Sequence, residues 1–342
     1  MTNRRNLSSR RQFLSRSVAG ALAAGAGLAR VDGFGLGACP TQVPTTRTIT
    51  PATNSATTGP VTGFALEIDR TIAVFPASLE GGNFTADVLA GTPGADGTSH
   101  KRLTNIRPEE ISLTFGTAAS KALLDWIKSS LEKHAVAKNG AIVFLGNGMR
   151  PVSRIEWSNA LISEVSFPVC NASSKDELLI ALKILPTQIR TAAAVLSSTS
   201  GVIPSKPWQS SNFALQILGC ENSCRAVNSI DAITVKFPAA SAAIGATRDY
   251  AKLSGAMDVS NLSVVLDFAK AGDFQRWQQS FEVQGQNSLE KSGTLQYLGA
   301  DLRTPLFSLN FAGLGIYKLS PISVGGFERV KVQMFCYSVD LA

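Results

Sequence analysis

Two stretches of this chain, about 150 residues apart, repeat the same features in the same order, and nothing else in the sequence restricts its fold as strongly. FALEI at Phe64 is matched by FALQI at Phe213, and both alternate apolar and polar positions as a half-buried strand does. ISLTFGTAASKALLDWIKSSL from Ile111 aligns without a gap to LSVVLDFAKAGDFQRWQQSFE from Leu262, which places Trp126 over Trp277. NGAIVFLG at Asn139 matches SGTLQYLG at Ser292, and SFP at Ser166 falls beside LSP at Leu319. A spacing kept across so many ordered motifs indicates an internal duplication whose second copy has diverged.

Each copy reads as many short strands around one helix. In the first block strands are expected at 64–68, 84–89, 111–115, 141–145, 155–162, 164–167 and 178–185, where apolar residues recur at period two or in short runs. Leu123, Ile127 and Leu131 recur at helical spacing with Trp126 beside them, while Lys121, Lys128 and Lys133 fall on other faces. Phe274, Trp277 and Phe281 repeat that stripe in the second block. The fold class is therefore mainly β with one helix per domain, two tandem β-barrels each capped by an apolar helix stripe. Both tryptophans are expected in the core.

Two Pro-, Ser- and Thr-rich stretches bound the blocks. ACPTQVPTTRTITPATNSATTGPVTG, from Ala38, has few large apolar residues and cannot bury enough to fold, so 30–62 is expected as a linker. SSTSGVIPSKPWQSSN, from Ser197, marks a second linker at 191–211, leaving domains at 63–190 and 212–342. Ahead of the first linker stands SSRRQFLSRSVAGALAAGAGLA. Ser9, Arg10, Arg11, Phe13 and Leu14 form S-R-R-x-F-L before a small apolar run that ends at Ala29, the layout of a twin-arginine export signal cleaved after Ala29. That run is far shorter than the ~20 residues a membrane helix needs.

The leader also explains the charge. It carries five arginines and no acid, so most of the chain's formal +7 belongs to it, and binding to nucleic acid is not expected of the remainder. Cys170, Cys220, Cys224 and Cys336 are too few for a disulfide-built scaffold. Neither the Cys220 and Cys224 spacing nor the lone His100 and His134 makes a metal site, and no cofactor is expected. No G-x-S-x-G, H-E-x-x-H or phosphate-binding loop occurs. Two SLEK motifs, with Ser130 and Lys133 and with Ser288 and Lys291, could imitate a Ser-Lys dyad, but sit at expected helix ends, where such charges complement the dipole. Glu80-Gly81-Gly82-Asn83 reads either as a ligand loop or as a tight turn between strands.

SLEGGNFTADV, ISLTFGTAASKALLDWIKSSL, KNGAIV and VSRIEWSNALISEVSFPVCNASSKDELLIALKI, spread over nearly all of 63–186, resemble the inner tail tube proteins of contractile phage tails, which are related to the tube protein of type VI secretion. The resemblance implies a barrel of two antiparallel sheets with a flanking helix, a ring of six subunits, and no catalysed reaction. It assigns the helix to 117–131, the start of a long hairpin to 80–88, and a loop at a subunit or ring contact to 91–102, giving Glu80, Gly81, Gly82, Asn83, Lys101 and Arg102 as candidate interface residues. Leu123, Trp126, Ile127, Phe274 and Trp277 form the helix cores. Tail hubs with two tube-like domains per chain form trimers of pseudo-sixfold symmetry, so the resemblance implies self-association into such a ring and contact with other tail-like components.

The function read from the sequence is thus a non-enzymatic structural subunit of a phage-tail-like tube or ring, exported folded to the periplasm or beyond. The alternative is a periplasmic or lipid-anchored binding module that reuses the barrel. Leu36-Gly37-Ala38-Cys39 resembles a lipoprotein box, so contact with a membrane would come only through the leader or a lipid on Cys39.

Overall fold

Alternating burial sets the strands of both blocks, as in ISLTF at 111–115 and IALKIL at 180–185, where every second side chain enters the core. The computed structural model describes residues 60–342 apart from 94, 96, 135, 198–207, 244–249, 255, 284–289 and 325. The residues of the expected leader, Arg10, Arg11, Phe13, Leu14 and Ala29, together with Cys39 and nearly all of the expected first linker, lie outside the described residues. In the first block the elements are β1 (Gly63–Ile68), β2 (Thr71–Val74), β3 (Ser78–Gly81), β4 (Phe84–Pro93), β5 (Ser99–Pro108), β6 (Ile111–Phe115), α1 (Lys121–Leu131), β7 (Lys138–Leu145), β8 (Pro151–Phe167), β9 (Cys170–Asn171), β10 (Ile180–Leu185) and β11 (Gln188–Ala192). In the second they are β12 (Phe213–Ile217), α2 (Glu221–Cys224), β13 (Val227–Ile230), β14 (Ile233–Lys236), β15 (Ala239–Ala243), β16 (Tyr250–Ser254), β17 (Asp258–Val259), β18 (Leu262–Asp267), α3 (Gly272–Gln278), β19 (Lys291–Leu298), β20 (Pro305–Val324), β21 (Phe327–Phe335) and β22 (Ser338–Leu341).

The protein is mainly β, and its two large sheets share one strand order. The first runs β1-β7-β8-β10-β6-β3 and the second β12-β19-β20-β21-β18-β13, all antiparallel, with β11 on β8 and β22 on β20 in equivalent places. In each sheet one long strand changes partners along its length. β8 pairs with β7 and β11 first and with β10 later, as β20 does with β19 and β22 and then β21. The change occurs at a one-residue bulge, Ser163 in β8 and Tyr317 in β20, and such a bulge bends a sheet toward barrel closure. Val165 opposes Leu182 just as Leu319 opposes Val332, so Leu319 stands in the place of Val165. Setting SFP beside LSP is therefore one residue out of register, because the turn from β19 to β20 is one residue longer than that from β7 to β8: Leu145 opposes Pro151, whereas Leu298 opposes Pro305.

Helix α1 starts at Lys121, not at 117, because Ala119 is tied to Val74 by a bridge and Ser120 caps the helix, accepting from the Leu123 N–H at 3.3 Å. Its buried face is Leu123, Trp126, Ile127, Ser130 and Leu131. Trp126 stacks on Trp157, with centroids 6.1 Å apart and planes at 14°, and donates Nε1–H to the Val136 carbonyl at 2.7 Å. In the second block, α3 buries Phe274 and Trp277 and passes into a wider turn at Gln279–Val283 that carries Phe281 onto Trp277.

One apolar cluster runs through both blocks, from Leu66 to Leu341, and α1 lies against β2, β8 and the last strand, β22. The described ends of the expected second linker are packed. Ser197 donates its N–H and hydroxyl to Glu67, and Trp208 is buried between Tyr297 and Phe307. A Pro- and Ser-rich composition hid those two anchors.

Candidate assembly interface

Within the chain the two sheets meet strand edge to strand edge. β14 pairs antiparallel with the end of β8, Val235 opposite Val165 and Ile233 opposite Phe167, and the same register continues where Ile230 of β13 faces Cys170 of β9. The Phe237 N–H donates to the Ser163 carbonyl at 2.8 Å, and the Ser166 and Thr234 hydroxyls lie 2.8 Å apart. Val165, Phe167, Cys170, Ile230, Ile233 and Val235 are all buried. Burying branched side chains on both strands, at about 1.5–3 kcal/mol each, fixes the register here. Behind the seam Tyr297 stacks on Phe307 at 4.3 Å and reaches the Pro168 carbonyl at 3.3 Å, so aromatic residues of the second block rest on the first.

The candidate residues of the first block fall near the matching edge. Glu80 and Gly81 end β3, which is the last strand on its side of the sheet, and Gly82 and Asn83 lead into the hairpin β4–β5. Both glycines have positive φ, 81° and 80°. A Cβ on Gly81 would lie 1.9 Å from the Glu110 carbonyl oxygen, and one on Gly82 would lie 2.8 Å from Ile142 Cδ1. The pair is thus a tight turn, with Gly81 against the Glu110 backbone and Gly82 against the Ile142 side chain, and the Asn83 carboxamide accepts from the Phe84 N–H at 2.9 Å.

Residues 91–93 and 99–102 are strand, not loop. Gly91 to Pro93 close β4, and Ser99 to Arg102 open β5, with Lys101 opposite Ala90 and Arg102 opposite Leu89. This hairpin pairs only with itself among the described residues, and it exposes Phe84, Val88, Leu89, Leu103 and Ile106. Arg107 and Asn105 hold the Asp87 carboxylate at 3.0 and 2.9 Å, and the hydrogen bonds from Asn105 and then Arg107 lower its pKa. Five exposed large apolar side chains on a hairpin that pairs with no other described strand make a contact surface in search of cover.

The charged groups elsewhere serve the fold. A cleft of about 640 Å³ beside β8 is walled by Arg154, Glu156 and Arg190. Arg154 bonds the wholly buried Glu67 at 2.7 Å and Glu156 at 3.1 Å, and Arg190 reaches Glu156 at 2.6 Å. Burial raises the Glu156 pKa, but hydrogen bonds from Arg190 and Arg154 outweigh it and the net shift is downward. Burial pushes the Cys170 and Cys224 thiols up to about 12 and those of Cys220 and Cys336 up to about 11, so none is a ready nucleophile. Ser130 donates its hydroxyl to the Trp126 carbonyl at 2.9 Å, within its own helix. Lys291 reaches the Leu218 carbonyl and lies over the Trp277 ring, and Ser288 is outside the described residues. Among the described residues no three His, Cys, Asp or Glu side chains are grouped to hold a metal, and no helix is long and apolar enough to cross a membrane.

Sequence reasoning missed the seam itself. ITVKF alternates buried Ile233, Val235 and Phe237 with Thr234 and the exposed Lys236, and SFPVC exposes Val169 between buried residues, so each reads as an ordinary half-buried strand, and such a pattern does not name its partner strand. No protein-family model matches the sequence, and no curated protein matches it. Solved structures do resemble parts of it. A subunit of the sheath-tube complex of an extracellular contractile injection system in its extended state is 20% identical, with 42% of this chain and 99% of that one covered at a TM-score of 0.33. A subunit of the sheath/tube terminator of such a system is 19% identical over 39% of this chain and 96% of its own, also at 0.33. Hcp1 from Flavobacterium johnsoniae is 14% identical over 40% of this chain and 99% of its own, at 0.26.

Proposed function

We propose that this chain is a non-enzymatic structural subunit of a phage-tail-like ring or tube, built by tandem duplication of one barrel and exported already folded. The observation that carries the reading is the shared strand order of the two sheets, joined inside the chain along a strand edge. A chain that contains two copies of one unit and one contact between them has the design of a repeating, self-associating module. The motifs resembling tail tube proteins and the apolar hairpin arm of β4 and β5 support the same conclusion, with the arm suited to contacts between successive rings. Three chains would supply six barrel positions.

The test is the assembly state of the protein purified after export. Light scattering and negative-stain images are expected to give a trimer and annular particles. A monomer at micromolar concentration with no annular particles would sink the ring and leave a tethered binding module.

A further inference from the structure

We infer that the outer edge of β20, residues 318–324, pairs with residues 79–85 of a second copy of this chain, remaking between chains the seam that joins the two sheets within one. The inference rests on the ring reading above and gives it a defined contact. Its basis is positional equivalence. Ile230 opposes Val264 of β18 as Leu79 opposes Leu113 of β6, and Val235 opposes Val259 of β17 as Phe84 opposes Pro108 of β5. Residues 79–85 therefore occupy in the first sheet the place of 230–236 in the second. The coincident bulges at Ser163 and Tyr317 likewise put 318–324 in the place of 164–170.

Within the chain 230–236 pairs with 164–170, but the outward sides of the equivalent segments, 79–85 beside β6 and β5 and 318–324 beside β21, carry no second strand partner among the described residues. Their side chains differ from the internal seam in exposure. Val235 and Val165 are both 0% exposed, whereas Phe84 is 54% exposed and Leu319 is half-buried. Cys170 is 0% exposed, while Val324, in its place, is 45% exposed. An antiparallel pairing in the internal register sets Phe84 opposite Leu319 and Asn83 opposite Ser320, where the internal seam has the hydrogen-bonded Thr234 and Ser166.

The external seam is the weaker of the two. Pro321 stands where Phe167 does and has no N–H to give, so the ladder opposite Gly82 keeps one bond of two. Such an edge is tolerated in the separate chain and closes reversibly. Because one patch meets a different patch, the contact is head-to-tail and generates a ring when its rotation closes.

Asn83→Cys and Ser320→Cys in one full chain test this, with Ser166→Cys and Thr234→Cys as the internal control. Mild oxidation is expected to link the control within one chain and to join the test pair between chains, giving dimers and trimers on a non-reducing gel and an 83–320 peptide by mass spectrometry. Phe84→Lys is expected to weaken association by about tenfold or more without moving the melting midpoint. Oligomers without the 83–320 link overturn this contact and leave the ring standing. A chain that stays monomeric under every condition overturns both, and an 83–320 link inside a monomer overturns the intermolecular pairing.

Discussion

Replacing Trp126 or Trp277 by Ala measures whether the two blocks carry equivalent helix cores and whether those cores are coupled. Trp126 is 2% exposed, and truncating a buried tryptophan costs about 3–5 kcal/mol. Its stack on Trp157 accounts for about 0.5–1.5 kcal/mol of that, while the Val136 carbonyl it releases is near the surface and is taken up by water. The expected loss is therefore in the upper half, about 4–5 kcal/mol. Trp277 is 4% exposed, meets Phe281 edge-on at 6.2 Å and is followed by a wider helical turn that can relax, so about 3–4 kcal/mol is expected. At about 2–4 °C per kcal/mol, Trp126→Ala should melt about 10–15 °C early. Since one apolar cluster spans both blocks, either variant should shift a single transition, seen alike by far-ultraviolet circular dichroism and by fluorescence in urea. A neutral Trp277→Ala, or two transitions of which one is unmoved, would refute the reasoning.

Three further outcomes are expected. Arg10→Lys with Arg11→Lys should strand the precursor in the cytoplasm in folded form, and unchanged export of the double variant would remove the twin-arginine assignment. Glu67→Gln should cost about 3 kcal/mol in urea denaturation, because it leaves Arg154 short of its buried partner while Glu156 still offsets part of the charge. The Cys170, Cys220, Cys224 and Cys336 thiols, raised by burial above their ordinary 9.0, should resist a thiol reagent at pH 8 until the chain unfolds. Their folded pKa values exceed the unfolded ones, so stability should fall as pH rises above about 9, and a flat profile between pH 9 and 11 would contradict the burial.

The parts of the fold that were legible in the sequence are those with one wet and one dry face. ISLTF and FALQI alternate because β6 and β12 each have two environments, and the α1 stripe recurs because one side of the helix is buried. The strand expected at 84–89 is the start of β4, but 91–102 reads as a loop because TPGADGTSH is polar and turn-rich, and the strand ends there have no dry face and exist by pairing with each other. β11 was missed for the same reason, since QIRTA has no fully buried position. Of the candidate interface, Gly81 and Gly82 were visible as a turn. Their neighbourhood to a free sheet edge was not, because strand pairing is non-local and the sequence carries no address for it.

The internal seam also bears on the proposed export of a folded chain. Val165, Phe167 and Cys170 belong to the first block but are covered by β13 and β14 of the second, whose facing residues Val235, Ile233 and Ile230 come 70, 66 and 60 residues later. Trp208 is buried by Tyr297 and Phe307 across a similar distance in sequence, and α1 completes its packing against the final strand. Neither block therefore finishes its core before the whole chain has been made, and cores assembled from non-local pairings form slowly, with unpaired edges exposed meanwhile. A route that threads an unfolded chain would repeat that exposure on the far side of the membrane. The proposed twin-arginine leader would suit this architecture for that reason: the interior edges would be buried before transport, and only the weaker outer edge, interrupted at Pro321, would stay open to meet another copy.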